Sequence, residues 1–172
     1  MYCTRKLTEQ VWWVGGSDRR LALFENLFPI TRGVSYNSYL ILDEQTAVVD
    51  TVDSSISRQF LENVLHTLDG RPLDYLVINH MEPDHCASIE TFAFMGQFYD
   101  FPLDGRTVTV KEGDTLSLGG HTLQFHMTPM VHWPEVMMTY ESSEKLLFSA
   151  DAFGSFGATG GNLFNDELNF DR

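Results

Sequence analysis

From Val11 to Ala150 the chain is a succession of short β-rich runs, and only one stretch carries a clear helical period. Val11-Trp12-Trp13-Val14 is closed by Gly15-Gly16 and reads as strand then turn. Tyr39–Leu42 and Ala47–Val49 flank the polar Asp43–Thr46, the pattern of a hairpin with a four-residue loop. Ile56, Phe60, Val64, Leu65 and Leu68 then recur at helical spacing until Asp69-Gly70 and Pro72 stop the run. Leu76-Val77-Ile78 follows as a buried strand. Helix then strand in this order implies a layered α/β arrangement. Residues 88–99 carry a weaker helical pattern. Beyond them Thr107–Val110, Thr115–Leu118, Thr122–Met127, Val136–Tyr140 and Leu146–Ala150 read as antiparallel strands between Gly or polar turns. Phe153–Arg172, with Gly154, Gly157, Gly160 and Gly161, reads as a loop followed by an acidic segment.

At 172 residues one domain is expected, and a chain of this size can bury roughly 70% of its unfolded surface. With 11 Lys+Arg against 24 Asp+Glu the net charge is −13. That balance argues against nucleic acid or an anionic membrane as partner. No apolar run approaches the roughly 20 residues of a membrane span, and Met1–Gln10 carries no apolar signal core, so a cytoplasmic protein is expected. Cys3 and Cys86 are too few for a disulfide framework. Free thiols in a reducing compartment are expected rather than a single Cys3–Cys86 bridge.

The stretch that carries chemistry is Asn79-His80-Met81-Glu82-Pro83-Asp84-His85, which sets four potential metal ligands within six residues. It directly follows the buried strand, and loops leaving strand ends are where α/β proteins keep their sites. In extended backbone, residues two apart face the same way, so His80, Glu82 and Asp84 converge on one spot. Pro83 favours this by holding its predecessor extended. His85 follows at the turn and reaches from the other side. Imidazole with carboxylate suits iron, manganese or zinc, and two acids with no thiolate tip the set towards iron. The plain alternative is a polar loop with two surface histidines.

Other candidates are weaker. His66 sits on the amphipathic helix, His121 in an exposed Gly-Gly-His turn, and His126 on a strand among apolar residues; none is read as a ligand. Cys86 is read as small and buried. Gly157-Ala158-Thr159-Gly160-Gly161 has no lysine and no flanking strand and helix, so no phosphate or dinucleotide site is expected there.

The run His80-x-Glu82-x-Asp84-His85, then Met130-Val131-His132-Trp133-Pro134-Glu135, then Phe148-Ser149-Ala150-Asp151-Ala152-Phe153-Gly154, resembles the flavodiiron proteins, also called A-type flavoproteins. Residues 33–41 with 47–52 are similar to that family's N-terminal hairpin, so the resemblance covers nearly the whole chain. It implies an α/β (α+β) fold, the metallo-β-lactamase-like αββα sandwich, here incomplete: the first half plus part of the second. Family members hold two irons in this domain and FMN in a flavodoxin-like domain that follows. They reduce dioxygen to water, nitric oxide to nitrous oxide, or both. Zinc hydrolases of the same fold have His where this chain has Glu82, and that exchange marks the diiron branch. By the resemblance His80, Glu82 and His132 hold one iron, Asp84 and His85 contribute to the second, and Asp151 bridges the two. His132 and Asp151, isolated just past strands, become ligands only through this pattern. Paired ferrous ions can each bind one end of O2 or one NO, and carboxylates stabilise the ferric product.

The resemblance also exposes departures. The family completes its second iron with a histidine further downstream, and the chain stops at Arg172 before it. There is no flavodoxin-like region, so FMN is not expected on this chain, and electrons come from a separate donor such as a flavoprotein or rubredoxin. A helix and strand usual between His85 and Glu90–Phe98 look missing, and Leu21-Ala22-Leu23 stands where many members have a histidine near the metals. Residues 1–172 are therefore read as one partial metallo-β-lactamase-like domain, with zinc or a single metal as alternatives to two irons. Half a sandwich leaves an apolar sheet face to be covered, and a homodimer that rebuilds the sandwich is the favoured means. The expected function is reduction of dioxygen or nitric oxide at a diiron site. A metal-dependent hydrolase of the same fold and a non-catalytic metal-binding remnant are the alternatives.

Overall fold

The computed structural model describes residues 2–24, 27–89, 107–154 and 157–167. The chain opens with β1 (Arg5–Lys6), β2 (Val11–Trp13), β3 (Gly16–Asp18), β4 (Leu23–Phe24), β5 (Phe28–Pro29), β6 (Val34–Tyr36), β7 (Tyr39–Leu42) and β8 (Thr46–Val49). Helix α1 (Ser57–Leu68), β9 (Tyr75–Val77) and the single turn α2 (Pro83–Cys86) follow, then β10 (Thr115–Ser117), β11 (Thr122–Met127), β12 (Met137–Glu141) and β13 (Leu146–Phe148). Two sheets carry the fold, ordered β1-β2-β7-β8-β9 and β10-β11-β12-β13; β3 with β6 and β4 with β5 make small ribbons. Among the described residues every pairing is antiparallel except β8 with β9. That exception follows from connectivity, because α1 carries the chain back across the sheet before β9 begins.

Side-chain alternation along the central hairpin assembles the layers. Leu40 and Val48 face α1 and pack with Val14, Phe60, Val64 and Leu68. Their neighbours Ile41, Ala47 and Val49 face the second sheet and pack with Leu123, Phe125 and Phe148. β8 is buried along its whole length, as a strand covered on both faces must be. The first sheet's inner face is thus covered by the second sheet of the same chain. This corrects the expectation that it stands open, and removes that face as a reason for a second copy. Asn63, wholly buried on α1, donates to the Val14 and Gly15 carbonyls and accepts from the Cys3 amide, so the helix is keyed to the N-terminal strands. Asp69 (φ 49°) and Gly70 (φ 83°) adopt the left-handed conformation that ends α1.

Several boundaries differ from the sequence reading. The β7–β8 loop is one residue shorter, because Thr46 joins β8 and donates through its amide to Asp74 and through its hydroxyl to the Pro72 carbonyl. Thr107–Val110 is not a strand; Val108 is 79% exposed, and of its β-branched residues only Val110 packs, in part, against the core. The helical reading of 88–99 lies outside the described residues from Glu90 onward. Cys3 and Cys86 are both free, Cys3 exposed and Cys86 half-buried rather than buried. Among the described residues no helix is long and apolar enough to cross a membrane.

The loops leaving β8, β9, β11 and β13 meet at one end of the sandwich. There the Met137 amide donates to the Asn79 carbonyl at 2.9 Å, joining the end of the first sheet to the start of β12.

Candidate metal centre

All six candidate ligands lie at this end. His80 follows β9 and is buried, and Glu82 adopts the extended backbone expected before Pro83 (φ −67°, ψ 145°). The alternation stops there. Pro83 is the first residue of a helical turn, so Asp84 and His85 rise on α2 rather than continue the extended run. Asp84 therefore does not share a face with His80 and Glu82, and a second donor group forms beside the first.

One donor atom each from His80, Glu82, His132 and Asp151 lies within 4.8 Å of the others, and the same holds for Asp84, His85 and Asp151. In the first group Glu82 Oε2 is 3.0 Å from His80 Nε2 and 2.9 Å from His132 Nε2. Asp151 Oδ2 closes it at 3.4 Å and 3.2 Å from the same two nitrogens. In the second, Asp151 Oδ1 is 2.9 Å from His85 Nε2, and Asp84 Oδ2 is 3.9 Å from that nitrogen. Asp151 thus turns one oxygen to each group. Donor atoms around a transition metal with bonds of about 2.0–2.2 Å stand roughly 3–4 Å apart, the spacing seen here.

Charge and burial fit a cation at both groups. Among the described residues Asp84 Oδ1 is buried without a hydrogen-bond partner. Burial, reinforced by Asp151 and Glu82 and opposed by His85, pushes the Asp84 carboxyl up to about 6. Burial alone would lower His85, but Asp151, Asp50 and Asp84 outweigh it and push the imidazole up to about 11. Burial likewise works against protonation of His132, and Glu82 and Asp151 raise it overall. Divalent ions between these carboxylates and imidazoles would satisfy the orphan oxygen and take over the charge balance now carried by protons. The donors are nitrogen and oxygen only, since Cys86 donates its thiol to the Met81 carbonyl. The residues present therefore fit iron-type metals.

Two supporting carboxylates were not singled out by sequence reasoning. Glu135 Oε1 lies 2.8 Å from His80 Nδ1, on the side of the ring away from the donor group. Asp50 Oδ2 lies 3.5 Å from His85 Nδ1. Asp50 itself accepts from the Asn79 amide and side chain, and Asn79 in turn accepts from Thr139 in the second sheet. Asp50 and Glu135 sit inside the stretches quoted above, yet only their distances from the rings give them a role. Of the other histidines, His66 stacks on Tyr2 and His126 pairs with Glu112. His121 is buried rather than exposed, because Asp43 of the β7–β8 loop receives both its ring nitrogen and its amide.

The donor groups line a cleft of about 870 Å³ whose walls include Phe24, Phe28, Tyr36, Trp133 and Phe153. The Trp133 ring stands edge-on to His80 with centroids 5.3 Å apart.

Two packed sheets with a cluster of nitrogen and oxygen donors on the loops at one end define a metallo-β-lactamase-like domain. Residues 34–170 match the family described as ODP family beta lactamase, and the chain belongs to that family, among flavodiiron relatives. It is 38% identical over 184 aligned residues to the anaerobic nitric oxide reductase flavorubredoxin of Pectobacterium atrosepticum, covering 96% of this chain and 36% of that protein. Against the Escherichia coli strain K12 flavorubredoxin it is 39% identical over 177 residues, 92% of this chain and 36% of that one. The chain thus spans about a third of the length of these relatives. Among solved structures, the rubredoxin oxygen:oxidoreductase of Desulfovibrio gigas superposes with a TM-score of 0.86 at 30% identity, over 96% of this chain and 45% of that one. The flavodiiron protein of Giardia intestinalis gives 0.83 at 28% identity, over 96% and 44%.

Proposed function

We propose that this chain is the metal-binding module of a flavodiiron-type oxidoreductase. In this reading His80, Glu82, His132 and Asp151 hold one iron, Asp84, His85 and Asp151 hold a second, and nitric oxide or dioxygen is the substrate. The observation that carries the reading is the carboxylate of Asp151 shared between two donor groups at opposed oxygens, 2.9 Å from His85 and 3.2 Å from His132. Iron held there supplies redox chemistry at a paired centre. The chain's own residues do the rest. Buried His80 and Glu82 fix the floor of the site, and aromatic side chains line the cleft above it. His132, whose side chain is 55% exposed, faces the mouth. Electrons come from a flavin- or rubredoxin-type donor, in keeping with the names of the relatives.

Anaerobic loading with ferrous iron, followed by metal counting, tests the reading. About two irons per chain are expected, falling to about one or none in Asp151→Asn, where the shared donor is lost. The reduced, loaded protein is expected to consume nitric oxide or dioxygen when a reduced rubredoxin or flavoprotein is supplied. Selective retention of zinc with turnover of an ester or lactam would overturn the reading in favour of a hydrolase.

A further inference from the structure

We propose that Glu135 is a positioning residue: a single oxygen of its carboxylate fixes the His80 ring and pins the loop carrying His132 to the loop carrying His80 and Glu82. The inference rests on the metal-binding reading above. Glu135 Oε1 lies 2.8 Å from His80 Nδ1 and accepts from the Met81 amide at 3.1 Å. Both contacts end on the same atom. A metal-bound imidazole presents a bare nitrogen to the ion and carries its hydrogen on the far nitrogen. A carboxylate there locks the ring and strengthens it as a ligand. His80 Nε2 faces Glu82 and Asp151, so Nδ1 is that far nitrogen.

What distinguishes Glu135 is where it comes from. It lies three residues beyond His132 on the same loop, so its carboxylate reaches back across the site to the other loop. His80 and His132 approach Glu82 Oε2 at 3.0 Å and 2.9 Å from separate segments of chain. One side chain therefore sets the register between both imidazoles. Its side chain is 36% exposed, so filling the core is not its role. As a surface ion pair alone it would be worth little to stability.

Cobalt(II), a paramagnetic probe for nitrogen–oxygen sites, separates this role from a structural one. In the cobalt-loaded protein, slowly exchanging, hyperfine-shifted ring N–H resonances are expected from His80, whose Nδ1 is held by Glu135, and from His85, whose buried Nδ1 lies 3.5 Å from Asp50. Glu135→Ala should remove one of these resonances and weaken cobalt binding by about 10- to 100-fold. Glu135→Gln keeps an acceptor oxygen for both bonds and should retain the resonance, with affinity within a few-fold of the parent. Circular dichroism and thermal melting confirm that each variant is folded. If Glu135→Ala binds cobalt as the parent does with both resonances intact, or if Glu135→Gln loses as much as Glu135→Ala, the positioning role is overturned. A parent protein that takes up neither cobalt nor iron gives a different signature and overturns the metal-binding reading together with this one.

Discussion

Asp151, which turns an oxygen to each donor group, follows a residue in an unusual backbone conformation. Ala150 sits at φ 48°, in the left-handed region that a side chain disfavours by roughly 1–2 kcal/mol. Asp50, Met130 and Phe153 share that conformation at φ 57°, 69° and 67°, and all lie on the loops that make or flank the site. Among the described residues the remaining non-glycine residues of this kind, Asp69 and Lys145, only end a helix and turn a hairpin. Strain is concentrated where donors must be aimed, and the surrounding packing holds it in place. Replacing Ala150 with glycine should therefore stabilise the metal-free protein by about 1 kcal/mol in urea unfolding, since glycine adopts this φ without a Cβ clash. The same change should weaken iron retention, because Asp151 then hangs from a freer hinge. A variant with unchanged unfolding midpoint would show that Ala150 is not strained.

Among the elements, those with a long period were legible. Phe60, Val64 and Leu68 mark α1, the apolar runs mark β7 and β8, and the four strands of the second sheet fall within a residue or two of their expected places. The ribbons β3–β6 and β4–β5 were not, because two- or three-residue strands are too short to show alternation. His121 was misjudged because its partner is distant in sequence. Asp43 binds it from the other sheet, with Oδ2 at 2.6 Å from the His121 amide and 2.7 Å from Nδ1. Gly119 (φ 121°) lets the turn approach, since a Cβ there would meet Glu44 at 2.7 Å. Burial works to raise the Asp43 carboxyl, but His121 and the amides of Glu44, His121 and Gly120 outweigh it and hold it down at about 2. A depressed acid stabilises the fold above its ordinary value and loses that contribution as pH falls towards the folded one. Stability measured in urea should thus drop as pH goes from about 4 to about 2. Asp43→Asn should be less stable at neutral pH and show a shallower drop across the same window. Parallel curves for the two proteins would remove the carboxylate as the titrating group.

For the whole molecule, a layered α/β arrangement and the position of the site at strand ends could be read from the order of apolar runs and the dense ligand stretch after β9. The division of donors into two groups was legible only through the family resemblance and not from spacing, because it depends on Pro83 opening a helical turn instead of prolonging a strand. Nor was the stacking of both sheets within one chain evident, since it depends on which face each short strand turns inward. The candidate donors are shared between the halves: His80, Glu82, Asp84 and His85 hang from the first sheet, His132 and Asp151 from the second. An ion gripped by both acts as a rivet through the two leaves. Its binding energy then becomes cohesion of the whole body, so a chelator should lower the melting temperature of the loaded protein by an amount that grows with metal affinity, and excess ferrous iron under anaerobic conditions should restore it. Identical melting with and without chelator would mean the leaves are held by their greasy seam alone.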